Sequence, residues 1–446
     1  MSEALPSTIA ALAPRIQALA LSPVTVVRAC LARIEQHRAG NAFVSVRDRE
    51  ALAEAAAAEE EIRAGRYRSP LHGVPIGVKD LVDVAGTSTT AGSAVPASVA
   101  GSDAPVVRAL REAGAIVIGK TNLHEFAFGT TSDESAFGPV RHPVDPSRSA
   151  GGSSGGSAAA LALGMCYGAI GTDTGGSIRI PAAACGIVGL KATMGELPCE
   201  GVIALSTTLD HVGPMGLTVR DVALLFDAMR GAAPRDVTPA AGGLTIGVLG
   251  GYFLRPLDAG VRSAWDSARQ ALARAGHTLV DADVRHAEWT PDVYLHIVFA
   301  EAACEHAAGL EAYADRYTPG VRLRLETARY VLAEDYVRAM RLRDVLREEV
   351  DRALQGRDVL LLPALTIAAP PIGASTVSVD GDVMPVRAAM LKLTQLFNMT
   401  GHPAIALPAG MGADGLPRAI QLVGRRKQTA RLLEIAAAVE AALQLR

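Results

Sequence analysis

Short apolar runs of strand length recur along this chain, and helix-length stretches separate most of them. That alternation constrains the fold more than any other feature. Residues 74–78, 115–118, 167–171, 244–249, 277–280, 359–362, 404–407 and 419–423 read as strands, with 43–46 as a further short one. Runs that are apolar almost throughout, rather than at every second position, suit strands buried on both faces. The pattern predicts an α/β fold with a central mixed, largely parallel twisted sheet covered by helices on both faces. Aromatic residues make up only 4% of the chain, so Ala, Val, Leu and Ile must fill the core.

The helical stretches carry their own punctuation. Ser22-Pro23 reads as an N-cap followed by Pro in the first turn. Val26, Val27, Cys30, Leu31 and Ile34 then recur at helical spacing, and Gly40 stops the run. Further helices are expected over 49–63, 105–112, much of 294–354, and 429–443. A single domain over 1–446 is expected, with an N-terminal helical segment (1–66), a motif-bearing core (67–230) and a helical insert (290–356). The net charge of −3 and the lack of Lys/Arg runs argue against a nucleic-acid surface. Glu59, Glu60 and Glu61 read as a solvated helix face. No apolar run reaches the roughly 18 residues of a membrane span. The N-terminus lacks a basic start followed by an apolar stretch, so no signal peptide is expected. Five cysteines with no C-x-x-C pair fit reduced thiols in a cytoplasm better than a disulfide framework or a zinc site.

Three segments point to chemistry. In Gly171-Thr-Asp-Thr-Gly-Gly-Ser177-Ile-Arg-Ile-Pro181, two glycines let the backbone approach a ligand closely just before a serine. Amides grouped there could stabilise an oxyanion, with Ser177 as nucleophile; the bland reading is an ordinary helix cap. Gly151-Gly-Ser153-Ser154-Gly-Gly-Ser157 contains G-x-S-x-G twice. A nucleophile elbow would need a preceding strand, and 143–149 does not read as one. It would also need a partner His, and neither His211, His277 nor His402 stands in a catalytic context. By composition 149–157 could be a linker, but it runs into the helix-forming stretch 158–163, so a functional loop reads better. Lys79 ends an apolar strand in Gly73-Val-Pro-Ile-Gly-Val-Lys79-Asp80. A lysine working as a base near neutrality must fall from roughly 10.4 to near 7, about 4 kcal/mol in favour of the neutral amine. Burial without a carboxylate partner could do this; Asp80, the next residue, points to the opposite face of a strand. The bland alternative is a snorkelling or surface lysine.

Together these segments resemble the amidase signature family. Gly119–Phe126, Cys185–Lys191, Ser206–Pro214 and Asn398–Pro408 are similar to it as well. The resemblance implies a Ser–Ser–Lys triad of Ser177 (nucleophile), Ser153 (bridge, on a cis peptide) and Lys79 (base). It implies an oxyanion hole from the amides of Thr174, Gly175, Gly176 and Ser177, and an acyl pocket along Ala127, Phe128, Gly129 and Thr130. Ser154, Asp173 and Arg179 are expected as supports: Ser154 in its loop, Asp173 tying down loop amides, and Arg179 either paired with a buried acid or facing a substrate anion. Ile180 would favour an uncharged substrate side. No metal or cofactor is implied. The expected activity is hydrolysis of a small-molecule amide by a stand-alone amidase, with a homodimer possible. The alternatives are the glutamine-hydrolysing component of a tRNA-dependent amidotransferase, a carbamate or ester hydrolase, and a non-catalytic binding protein on the same fold. Ala192 after Lys191, the lack of an aromatic residue in 197–201, and 363–371 favour the stand-alone enzyme.

Overall fold

A computed structural model describes residues 5–443. Thirteen strands occur among the described residues: β1 Phe43–Val46, β2 Pro75–Lys79, β3 Ile116–Thr121, β4 Gly168–Thr172, β5 Val188–Lys191, β6 Val212–Gly216, β7 Thr245–Leu249, β8 Thr278–Ala282, β9 Val359–Pro363, β10 Thr376–Val379, β11 Asp382–Pro385, β12 Ala404–Met411 and β13 Pro417–Val423. Eleven of them form one mixed sheet in the order β1-β3-β2-β4-β6-β5-β12-β13-β9-β7-β8. Its parallel pairings fall in two triplets, β3-β2-β4 and β9-β7-β8. Between the triplets the pairings are antiparallel. β10 and β11 form a separate hairpin.

Every residue of β2 through β6 is buried, as expected of strands covered on both faces. Helix Gly155–Ala162 packs on this part of the sheet and is buried from Gly155 to Leu161. Its small residues are required. A Cβ on Gly156 would stand 2.3 Å from Asn122 O and 2.5 Å from Ala42 O, so no side chain fits there. Helix Pro23–Gln36 begins where Ser22-Pro23 places it, Ser22 Oγ accepting from Val24 N at 3.1 Å. The stretch read as largely helical toward the C-terminus holds the helices Thr290–Glu305, Ala307–Tyr313, Pro319–Ala328 and Ala333–Ala353. No described helix is long and apolar enough to cross a membrane.

Lys79 is the last residue of β2, and Thr172 the last of its parallel neighbour β4. The C-terminal ends of parallel strands are where α/β sheets present functional groups. Ile76 and Val78 are fully buried beside Lys79 and contribute about 3–6 kcal/mol of apolar burial together. That is the scale needed to offset one uncompensated lysine in the same strand.

Candidate active site

Lys79 is completely buried. Its Nζ lies 2.8 Å from Ser153 Oγ and 2.7 Å from Thr172 Oγ1. Asp80 is no partner for it, being paired with Lys120 Nζ at 2.8 Å and accepting from Thr90 N at 3.0 Å. With only hydroxyls around it, burial pushes the Lys79 amine down to about 7, and the charges of Asp173 and Asp210 oppose this only in part.

Ser153 follows a cis peptide bond from Gly152. Its carbonyl accepts from His124 N and Ser132 Oγ, both at 3.1 Å. Ser154 holds the loop to β4, its Oγ donating to Thr172 O at 3.2 Å and accepting from Thr172 N at 3.3 Å. Ser154 N also donates to Ser177 O at 3.1 Å, which ties the Ser153 loop to the Ser177 turn.

Ser177 lies in the turn between β4 and helix Arg179–Cys185. The amides of Thr174, Gly175, Gly176 and Ser177 donate no hydrogen bond among the described residues. The turn is held from behind instead. Thr394 Oγ1 donates to Gly175 O at 2.5 Å, and Thr174 Oγ1 donates to Asp210 Oδ1 at 2.6 Å. Gly176 has φ +142, and a Cβ on it would meet Thr394 Oγ1 at 2.2 Å. Burial raises the Asp210 carboxyl to about 6 against its hydrogen bonds from Thr174, Ser206 and Leu205.

Asp173 and Arg179 form a fully buried pair beneath the turn. Arg179 Nε and Nη2 reach the two oxygens of Asp173 at 3.0 and 2.9 Å. Nη1 donates to Thr394 O and Gln421 Oε1, and Nη2 also to Asn398 Oδ1. All five guanidinium N–H groups are used, so none remains for a substrate anion. Asp173 also accepts from Ile178 N at 3.2 Å and Asn398 Nδ2 at 2.8 Å. Burial disfavours its charge, but Arg179, Asn398 and Lys191 outweigh this and hold the carboxyl well below the usual range.

Two cavities meet the loop expected to line the pocket. One of about 400 Å³ is bordered by Ala127, Thr172, Thr174, Met194, Asp210 and His211. Another of about 360 Å³ is bordered by His124, Gly129, Thr130, Glu134, Arg324 and Arg387. Phe128 and Ile180 line neither: Phe128 is buried edge-on against Phe299, and Ile180 fills the space beneath Gly176. Thr172, Asp210, Thr394, Asn398 and Gln421 were not singled out from the sequence. Thr172 stands inside the same motif as Ser177, and its place at the end of β4 was the available signal. Among the described residues no three His, Cys, Asp or Glu gather as a metal-binding group.

The family model described as Amidase matches residues 25–433. A protein named amidase from Pseudomonas putida is 40% identical over 426 residues, covering 92% of this chain and 90% of that protein. A glutamyl-tRNA(Gln) amidotransferase subunit from Chloroflexus aggregans is 36% identical over 467 residues, covering 96% of this chain and 94% of that protein. A crystal structure of an amidase superposes with a TM-score of 0.93 at 36% identity, covering 97% of this chain and 99% of that one. With the match spanning nearly the whole length, and with the arrangement of its buried lysine, serines and glycine turn, the chain belongs to the amidase signature family.

Proposed function

We propose that this chain hydrolyses a small carboxylic amide through an acyl-enzyme on Ser177, with Lys79 as the base and Ser153 as the relay between them. One observation carries the reading. Lys79 Nζ is buried, lacks a carboxylate partner, and sits within hydrogen-bond reach of Ser153 Oγ. An amine near neutrality in its pKa is matched to proton transfer at physiological pH.

The steps balance without an external group. Neutral Lys79 takes the proton of Ser153 Oγ as Ser153 takes that of Ser177. Ser177 Oγ bonds to the carbonyl carbon, and the carbonyl electron pair moves onto oxygen, facing the free amides of Thr174 to Ser177. On collapse the C–N bond breaks, and Ser153 gives its proton to the leaving nitrogen and regains one from the Lys79 ammonium. Water then attacks the ester through the same relay. Asp173, Arg179 and Ser154 act as positioning residues, because their polar atoms are spent on the loops.

The test is ammonia or amine release from a panel running from acetamide to aryl and peptide amides, alongside fluorophosphonate labelling. Ser177→Ala should abolish labelling and turnover together. Labelling of the variant at wild-type stoichiometry would exclude Ser177 as nucleophile. The similarity to amidotransferase components keeps glutamine in the panel. Ammonia from glutamine alone, and only with charged tRNA and a partner protein, would replace the stand-alone reading.

A further inference from the structure

Beside the site lies a cation that no acid pairs with among the described residues, although the charge of Glu134, which borders the same cavity of about 360 Å³, acts on it in part. Arg387 sits in the first turn of helix Val386–Leu391. Its guanidinium rests over the Phe128 ring, 5.4 Å from Cζ to the centroid, and it makes no hydrogen bond or ion pair among the described residues. Burial lowers it only to about 10, so it stays charged near neutrality. Arg324, over the same ring at 5.8 Å, differs: Glu134 Oε2 holds it at 2.5 Å. The neighbouring acids are already engaged. Glu134 also faces His124 Nε2 at 3.1 Å, and Asp133 accepts from Thr131 Oγ1 at 2.5 Å and Gly373 N at 3.1 Å.

Arg387 walls a crevice of about 300 Å³ together with Tyr252, Tyr294, Phe299, Leu391 and Lys392. No carboxylate lines it. The second cation, Lys392, places Nζ 3.6 Å from the Tyr252 ring centroid. The rest of the wall is almost wholly apolar. Two cations in an apolar crevice without an acid make a poor home for a neutral ligand and a good one for an anion with an apolar body. The crevice backs onto the nucleophile's turn. The nearest atoms to a Cβ built on Gly175 are Tyr294 Oη at 2.3 Å and, beyond that ring, Leu391 Cδ2 at 3.0 Å.

We propose that Arg387 binds a carboxylate of the substrate, and that the preferred substrate is a small amide with an apolar body and a carboxylate remote from the scissile bond. This rests on the hydrolase reading of Ser177. The guanidinium suits the role. Its planar fork pairs with a carboxylate through two N–H groups, and its weak hydration tolerates apolar walls. Phe128, which lines neither cavity along the 127–130 loop, acquires a role as the platform for that cation. A crevice of this volume lies at the small end of ligand sites, so the body is a short chain or a single ring.

The test compares half-amides of unbranched dicarboxylic acids, from malonic to suberic, with neutral amides of matched length. At least one half-amide should exceed its neutral counterpart in kcat/KM by about 10-fold or more, mainly through KM. Arg387→Met should erase that preference, and Arg387→Lys should keep part of it. Equal kcat/KM for every wild-type pair overturns the proposal even if neither variant folds. So does a preference that survives Arg387→Met. Turnover of neutral amides with no carboxylate preference would sink this subsite alone. No turnover of any amide, with no labelling at Ser177, would remove the hydrolase reading and the subsite with it.

Discussion

Replacing Lys79 by Met should make the protein inactive and yet more stable near neutral pH, with the stability gain vanishing as pH rises. The unfolded lysine titrates near 10.4 and the folded one near 7. The folded value is the lower one, so between these two pH values the unfolded chain binds the extra proton and stability rises with pH. The cost of burying this amine is largest at and below pH 7 and disappears above about 10.4. Near pH 7 it is about 4 kcal/mol, and near pH 9.5 about 1 kcal/mol, from 1.36 kcal/mol per tenfold change in proton affinity. Methionine removes the cost but strands Ser153 Oγ and Thr172 Oγ1, a loss of about 2 kcal/mol for the pair. Lys79→Met is therefore expected to gain about 2 kcal/mol at pH 7 and to lose about 1 kcal/mol at pH 9.5. The swing of about 3 kcal/mol is the sturdier quantity, because packing differences and other titrating groups cancel between the two pH values. Urea unfolding of both proteins at each pH measures it. A variant equally destabilised at both pH values would mean that the native lysine is not kept neutral by burial, and the base would have to be sought elsewhere.

The same amine sets the acid limb of catalysis: kcat/KM should rise with pH through about 7 with the slope of one proton, and a flat profile from pH 5.5 to 8.5 would speak against Lys79. Asp173→Asn leaves the Arg179 charge buried without its anion and should cost about 3–5 kcal/mol in urea unfolding; a loss below about 1 kcal/mol would mean that Asn398, Gln421 and Thr394 hold Arg179 unaided. Gly176→Ala drives a Cβ against Thr394 at an unfavourable φ and should lower kcat about 100-fold or more, whereas an unchanged kcat would place this turn away from the reacting carbonyl.

Much of this was legible in the residues, and the gaps have physical causes. β2, β3 and β4 are runs whose apolar character survives any register, so their existence could be read. Their pairing partners could not, because strand direction depends on how the connections cross. β12 and β13, separated by only five residues, were bound to be antiparallel neighbours. β5 and β6 escaped notice because Gly189, Gly213 and Pro214 interrupt their apolar pattern. The β10–β11 hairpin carried a signal that was passed over: Asp380-Gly381 is a two-residue turn with φ of +53 and +88. At the site, the resemblance to the amidase signature family singled out Lys79, Ser153 and Ser177; read alone, Lys79 could equally be a surface lysine and Ser177 a helix cap. Asn398 and Gln421 are ordinary amides in sequence, and only folding brings them to Arg179 across 219 and 242 positions.

Burial alone does not fit a lysine for the role of base, as the surroundings of three buried lysines among the described residues illustrate. Lys120 faces Asp80 Oδ1 at 2.8 Å, a carboxyl group where Lys79 has only hydroxyls. Lys191 donates to Ala192 O at 3.2 Å and His402 O at 2.5 Å. Its third neighbour, His211 Nε2 at 3.3 Å, is also an acceptor, since Nδ1 donates to Leu209 O at 2.7 Å. Burial lowers Lys191 as well, yet three acceptors surround it, and a lone pair there would find no proton to take. Lys79 differs in the chemistry of its neighbours, since both are hydroxyls. A hydroxyl can accept from an ammonium and, by rotating, donate to a neutral amine, so the site stays satisfied in both protonation states. That reversibility is what a base needs if it must take a proton early in a turnover and return it before the end. On the proposed mechanism, Thr172 would let Lys79 keep one hydrogen bond while Ser153 turns toward Ser177.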